Sequence, residues 1–398
     1  MTKKGKIISL TALFLTALLL FVFNNKQHKD RYPLVKPVSD FAKKQKTSIV
    51  QDSAKPEIKS CDFQYKKAVV SICEPDRVNF DIAKLPQKGK KHDVSTFGKD
   101  KIGFTVNKPG KSAPNPVIFS ITFDNDIFDE TDYYYTNGIR FSLITPVARR
   151  TLLNKTLIGN RNSSVVLAGF SLRQNMYTAT NPETPVILKG DHPFAGYLVF
   201  GQFLQTVNFE NRVSVFSEIS LGVIGPASLA ASIQRGVHEK YPAGWDYQIN
   251  NDIIVNYALK VEKSLISNKN FEINATTKIN AGTLFDDLSA GLFMRTGSFI
   301  PVYRGMPLSK NNKLRYWFFI KSNLKGVIYD ATLQGGMFSN SPYTIPGNQI
   351  NRLVFTASAG LAFYYYSIGL ELENFYQTPE FKGALDFKWG RINLVLKF

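Results

Sequence analysis

From Val117 onward the chain is written in short runs that alternate apolar and polar side chains between turn residues, and this continues to the final residue, Phe398. Successive side chains of a β-strand point to opposite faces, so each such run has one apolar face and one polar face. The last run shows it best. Lys388, Gly390, Ile392, Leu394, Leu396 and Phe398 share one side, and Trp389, Arg391, Asn393, Val395 and Lys397 share the other. The period alone does not say whether the apolar side meets lipid or a protein core, because a soluble sandwich alternates in the same way.

Three features favour a membrane. Aromatic residues make up 13% of the chain and cluster near run ends at Tyr133 to Tyr135, Tyr316 to Phe319 and Tyr364 to Tyr366, as interfacial girdles would. The stretch from Ile7 to Phe23 is apolar and follows Lys3, Lys4 and Lys6, the layout of an export signal. No small-x-small pair marks a cleavage site after it, so residues 1–25 read as a signal peptide or an uncleaved N-terminal anchor. The terminal Phe398 resembles the closing aromatic of bacterial outer-membrane barrels.

About twelve strands are expected, beginning near Val117, Thr136, Ser163, Ala195, Arg212, Ile249, Phe271, Asp287, Leu314, Asn351, Ala362 and Leu385. The even count fits a single-chain transmembrane antiparallel β-barrel over residues 113–398. With the first strand running outward, the loops near 174–194, 224–248 and 328–349 fall on one side and are expected to be the longest. The Ala-rich segment from Ala227 to Val237, begun by Gly225 and Pro226, predicts a short helix in one of these extracellular loops.

The net charge of +18 raises nucleic acid as a partner until its distribution is considered. Residues 1–112 hold 23 Lys/Arg against 10 Asp/Glu, a net +13, and the remaining 286 residues hold 26 against 21, a net +5. The basicity belongs to residues 26–112, a Lys-, Pro- and Ser-rich periplasmic extension that reads as largely disordered. Together with the export signal this excludes a nucleic-acid binder. The extension reads as a solvated tether, with peptidoglycan or lipid headgroups as the alternative contact. Cys61 and Cys73 lie within it with eleven residues between them, and in an exported chain they are expected to form a local disulfide.

The unusual polar residues gather toward the long-loop side. Asp124, Asn125 and Asp126 end the first strand, Tyr135, Thr136, Asn137 and Gly138 open the second, and His238 and Glu239 follow the predicted loop helix. A carboxylate at a strand end is ordinarily a turn residue, and a lone histidine after a helix ordinarily a solvated or capping one. The ordered motifs FDNDIFDETDYYYTNGIRFS, QNMYT, KGDHPFAGYLVFG and LGVIGPASLAASIQRGVHEKYPAGWDYQINND resemble those of the lipid A 3'-O-deacylases, a family of Gram-negative outer-membrane barrels. The resemblance covers about Ile118 to Phe398 and none of the extension.

That resemblance implies a twelve-stranded barrel whose site lies between the outer wall and a loop helix. It implies calcium-dependent hydrolysis of the 3'-linked acyloxyacyl ester of lipid A, the lipid anchor of lipopolysaccharide. It assigns catalytic roles to Asn125, Asp126, Thr136 and His238, and Asp126 with Glu239 are the candidate ligands of Ca2+. Such a reaction needs a base for water, which neutral histidine supplies near neutral pH, and a hard cation or amide donors where an oxyanion develops. One departure stands out. The family's deacylases carry a functional lysine in the loop after the third strand, and Thr178 to Leu188 contains no basic residue, with Lys189 matching a different lysine. A non-enzymatic barrel that binds lipopolysaccharide or calcium through the same loops is therefore the alternative.

Overall fold

A computed structural model describes residues 104–106, 116–126, 133–237, 241–301 and 313–398. The export signal, most of the basic extension with Cys61 and Cys73, and the pair His238 and Glu239 lie outside the described residues. In chain order the strands are β1 (Phe104–Val106), β2 (Ile118–Asn125), β3 (Tyr134–Ile144), β4 (Ile158–Asn160), β5 (Val165–Thr178), β6 (Ala195–Asn208) and β7 (Val213–Ile224). They continue as β8 (Asp252–Ser267), β9 (Phe271–Gly282), β10 (Phe285–Ser298), β11 (Arg315–Asp330), β12 (Leu353–Tyr365), β13 (Ile368–Gln377) and β14 (Phe387–Lys397).

Twelve of these, all but β1 and β4, form one closed antiparallel barrel in which β14 returns to pair with β2. Closure leaves no unpaired strand edge, which is what a sheet needs in hydrocarbon, where no water satisfies an exposed N–H or C=O. The strands begin where the alternation places them, with one correction. The strand expected near Ala362 begins at Ile368, because residues 353 to 365 form one continuous strand, β12, and the chain turns at Tyr366 with φ 58°. A bulky residue takes the left-handed turn position there, where glycine is the usual choice, so the turn carried no glycine signal.

The direction of the apolar faces settles what the period could not. Leu172, Phe200, Leu221, Val255, Leu292 and Phe318 are exposed on the outer wall. Charged side chains fill the inside: Arg140 donates to Glu218 at 2.8 Å, Ser171 donates to the same carboxylate at 2.6 Å, and Lys321 donates to Glu373 at 2.9 Å. A soluble protein of this size would bury the first set and expose the second. Among the described residues no helix is long and apolar enough to cross a membrane, and the crossing is made by strands.

Two expectations need correcting here. The aromatic clusters are not simple girdles, since Tyr134 and Tyr135 are buried inside the mouth against Phe387 and Trp389, while Tyr316 and Tyr365 face outward. Alternation sends Tyr316 and Phe318 outward and Trp317 inward, whereas the left-handed backbone at Tyr134, with φ 64°, brings two consecutive tyrosines to the same side. The three long loops at the mouth are present, but the connection at the other end between β3 and β5 is longer than the one between β5 and β6. It is folded rather than open. Its strand β4 pairs with β1 and is held within the barrel by Ser217 Oγ, which donates to the Ile158 carbonyl at 2.8 Å, and by Tyr257 Oη, which accepts from the Ile158 N–H at 3.0 Å.

Candidate active site on the outer wall at the mouth

β2 ends at Asn125, and alternation divides its last two side chains between the faces. Asp124 points inward, where Arg391 of β14 grips its carboxylate through Nε at 2.6 Å and Nη2 at 2.7 Å, and Tyr135 Oη donates to it at 2.8 Å. Asp124 is therefore a strand residue in a buried ion pair and not the turn residue that strand-end position suggests. The two-pronged contact is the geometry a guanidinium offers a carboxylate. It ties β14, β2 and β3 together directly behind Asn125.

Asn125 faces outward on the wall, and its Nδ2 donates to the Thr136 carbonyl at 3.1 Å. Thr136 occupies a bulge in β3, where the register with β5 slips between Tyr135, paired with Tyr177, and Asn137, paired with Met176. An extra residue in one strand re-aims its side chain. Here it lets Tyr135 reach inward to Asp124 while Thr136 Oγ1 donates to the Met176 carbonyl at 3.3 Å. Asp126, the next residue after β2, is buried at this strand end.

On β5, Gln174 and Met176 share the parity of Leu172 and so belong to the outer face, yet both are buried. What covers them is the loop after β7. Pro226 to Ser228 form a 3-10 turn, Leu229 adopts the left-handed conformation with φ 64°, and the helix α1 (Ala230–Val237) follows. Gln174 Nε2 donates to the Ser228 carbonyl, and Gln234 Nε2 lies 3.5 Å from Met176 Sδ. Ala230 and Ala231 pack with Met176, Ala179, Phe194 and Trp245. Gly196 of β6 makes the seat possible, since a Cβ there would stand 2.2 Å from Ala230 Cβ.

The structure therefore links Asn125 to Thr136, Thr136 to Met176, and Met176 to α1, all on the outer face. His238 follows the last residue of α1 in sequence. Sequence reasoning anticipated the helix and the Asn125, Asp126 and Thr136 positions but missed the seat made by Gln174, Met176 and Gly196, and the lock made by Asp124, Tyr135 and Arg391. Gln174, Met176 and Gly196 all lie inside the motifs singled out above, and the signal for Gly196 was a glycine within a strand, a usual mark of close approach. Arg391 had no local signal, because it is 267 residues from its partner.

His192 lies at the same mouth, in the loop between β5 and β6, but inside rather than on the wall. Its ring stacks on Tyr177 at 5.3 Å, packs near Tyr134 and Phe381, and has Nδ1 2.6 Å from the Pro193 carbonyl. Burial disfavours its charged form and lowers its pKa. Lys189, three residues before it, is exposed. Among the described residues no three His, Cys, Asp or Glu side chains converge as metal ligands.

A closed barrel with a lipid-facing apolar wall and a loop helix seated on that wall defines an integral outer-membrane protein. The family model described as Outer membrane protein LpxR matches residues 102–398, and the chain belongs to that family. Among solved structures, LpxR from Salmonella typhimurium is similar in fold, with a TM-score of 0.57 and 20% identity over 71% of this chain and 100% of that one. The β domain of the Bordetella autotransporter BrkA matches with a TM-score of 0.38 and 9% identity over 72% of this chain and 99% of that one. The translocator domain of the autotransporter NalP from Neisseria meningitidis matches with a TM-score of 0.34 and 10% identity over 71% and 88%. No curated protein sequence matches the chain.

Proposed function

We propose that the chain is a lipid A deacylase that hydrolyses the ester of the 3'-linked acyloxyacyl chain. The observation that supports this most is the placement of Asn125, Thr136 and the seat of α1 on the lipid-facing side of the wall. A substrate embedded in the outer leaflet reaches that face by lateral diffusion and never enters the lumen. In this reading His238 takes a proton from water as general base, and Asn125 offers its amide to the developing oxyanion. One N–H of the Asn125 amide is spent on the Thr136 carbonyl, which fixes the direction of the group. Thr136 acts by anchoring the bulge to β5.

The donor types of the proposed site fit calcium. It takes carboxylate and amide oxygens, and Asp126, Glu239 and Asn125 are groups of that kind. Asp126 and Glu239 would hold the ion, which when bound supplies positive charge beside the ester carbonyl.

The non-enzymatic reading draws on one observation, the absence of any basic residue from Thr178 to Leu188. Mass spectrometry of lipid A from cells with and without the protein separates the two. Loss of a mass equal to an acyloxyacyl unit supports the deacylase, and His238→Ala should then lower the rate by about 10²–10⁴-fold. Unchanged lipid A across calcium concentrations would leave the binding role.

A further inference from the structure

Ile233 of α1 and Leu229, the residue just before the helix, are apolar yet 44% and 55% exposed. The Ile233 N–H donates to the Leu229 carbonyl at 3.1 Å, which ties Leu229 to the first turn of the helix. Ala230 and Ala231 are buried against the barrel wall and form another apolar side of the helix. A soluble loop helix has no use for a second apolar side.

Its position in the wall says what that side meets. Gln174, on which the Ser228 carbonyl rests, is paired with Leu198, Leu198 with Val223, and Val223 with Ile253, so these four form one rung across β5, β6, β7 and β8. Ile253 is 64% exposed at the lipid-facing end of that rung. Just below it on the same face stand Leu172, Phe200, Leu221 and Val255, all exposed. The helix therefore begins at the upper rung of the lipid-facing belt, and Leu229 and Ile233 continue that belt outward from the wall.

The polar residues near the helix end suit an interface rather than open water. Arg235 Nη2 pairs with Asp246 at 2.6 Å, and Arg235 Cζ lies 5.2 Å from the centre of the Tyr241 ring, whose hydroxyl donates to Asp246 at 3.1 Å. An ion pair capped by a tyrosine is the arrangement of a headgroup boundary, with apolar side chains below it and charge satisfied above it.

We propose that Leu229 and Ile233 are immersed in the acyl chains of the outer leaflet, so that α1 is held by lipid on one side and by the barrel on the other. The occupant of this face is lipid hydrocarbon. The consequence for turnover rests on the deacylase reading; the immersion itself does not.

The test needs no catalysis. The full chain is reconstituted in vesicles of phosphatidylethanolamine and phosphatidylglycerol doped with a phosphatidylethanolamine whose acyl chain carries a diazirine, irradiated, digested and mapped by mass spectrometry. Adducts are expected on the peptide holding Leu229 and Ile233 as well as on the one holding Ile253 and Val255. In the Leu229→Gln/Ile233→Gln variant, labelling of the helix should fall about tenfold while labelling of the belt holds, because only the helix loses its apolar contact. Adducts on the belt with none on the helix would overturn the proposal and give this face to water or to a protein partner. Under the deacylase reading the same variant raises KM for lipid A in vesicles, and its kcat in detergent micelles stays at the wild-type value. Labelling of the helix in a protein that hydrolyses nothing would refute the deacylase and leave the immersion standing.

Discussion

Replacing Gly196 by alanine adds one methyl group where β6 lies directly against the start of α1. The new Cβ would lie 2.2 Å from Ala230 Cβ and 2.8 Å from Ser228 Oγ, whereas ordinary contact begins at 3.4 to 4 Å. The shortfall against Ala230 is therefore about 1.2 to 1.8 Å, and the Ala230 methyl is rigid, so the helix itself must move out. A misplacement of about 1 Å at a catalytic constellation costs on the order of 10²-fold in rate, or ~2.7 kcal/mol of transition-state stabilisation. Gly196→Ala should thus lose about two orders of magnitude in lipid A deacylation while the barrel still folds, as judged by heat-modifiable migration in gels. Gly326→Ala is the matched control, since its nearest neighbour would be the Leu288 carbonyl at 3.6 Å, an ordinary contact. The double variant Gly196→Ala/Ala230→Gly removes the methyl of the closest collision, leaves Ser228 Oγ at 2.8 Å to shift, and should recover most of the rate at a cost of about 1 kcal/mol in helix stability. A folded Gly196→Ala protein that works at the wild-type rate would refute the argument that α1 must sit against β6.

Three further outcomes are expected. Asp126→Asn should raise the calcium concentration for half-maximal activity with little change in the rate at saturation, measured by titrating calcium into chelated enzyme, because one negative oxygen charge leaves the proposed site. Asp124→Asn should lower the temperature at which the folded gel form is lost, by an amount equivalent to about 2 kcal/mol, because Arg391 and Tyr135 lose a charged acceptor in a mostly buried pair. His192, with its pKa below the ordinary 6.5, binds its proton more readily in the opened chain than in the folded one. Its contribution to stability is thus complete above about pH 6.5 and is lost as the pH falls from there toward the folded-state value. Hydrogen exchange of residues 179–194 should quicken across that fall, and His192→Gln should flatten the dependence.

How much of this was legible beforehand depends on the range of the interaction. The start of β14 and the shared apolar side of its residues Ile392, Leu394 and Leu396 could be read directly, because a period of two is a local property of the chain. The helix in the loop after β7 could be read from Gly225, Pro226 and the alanines. The motifs carrying Asn125, Asp126 and Thr136 were visible, but the bulge that turns Thr136 toward Met176 was not. A bulge is set by the register of two strands, and β5 lies about forty residues away in the chain.

The sequence by itself determined the number of barrel strands, their alternation and the position of the loop helix. Each of these follows from residue type and spacing within a window of about ten to twenty residues. The tertiary structure alone decided which face of each strand met lipid, that Asp124 turns inward to Arg391 while Asn125 turns outward, and that Gly196 leaves room for α1. Those outcomes depend on closure. Only when β14 pairs with β2 does the wall acquire an inside and an outside, and only then do side chains remote in sequence share one face.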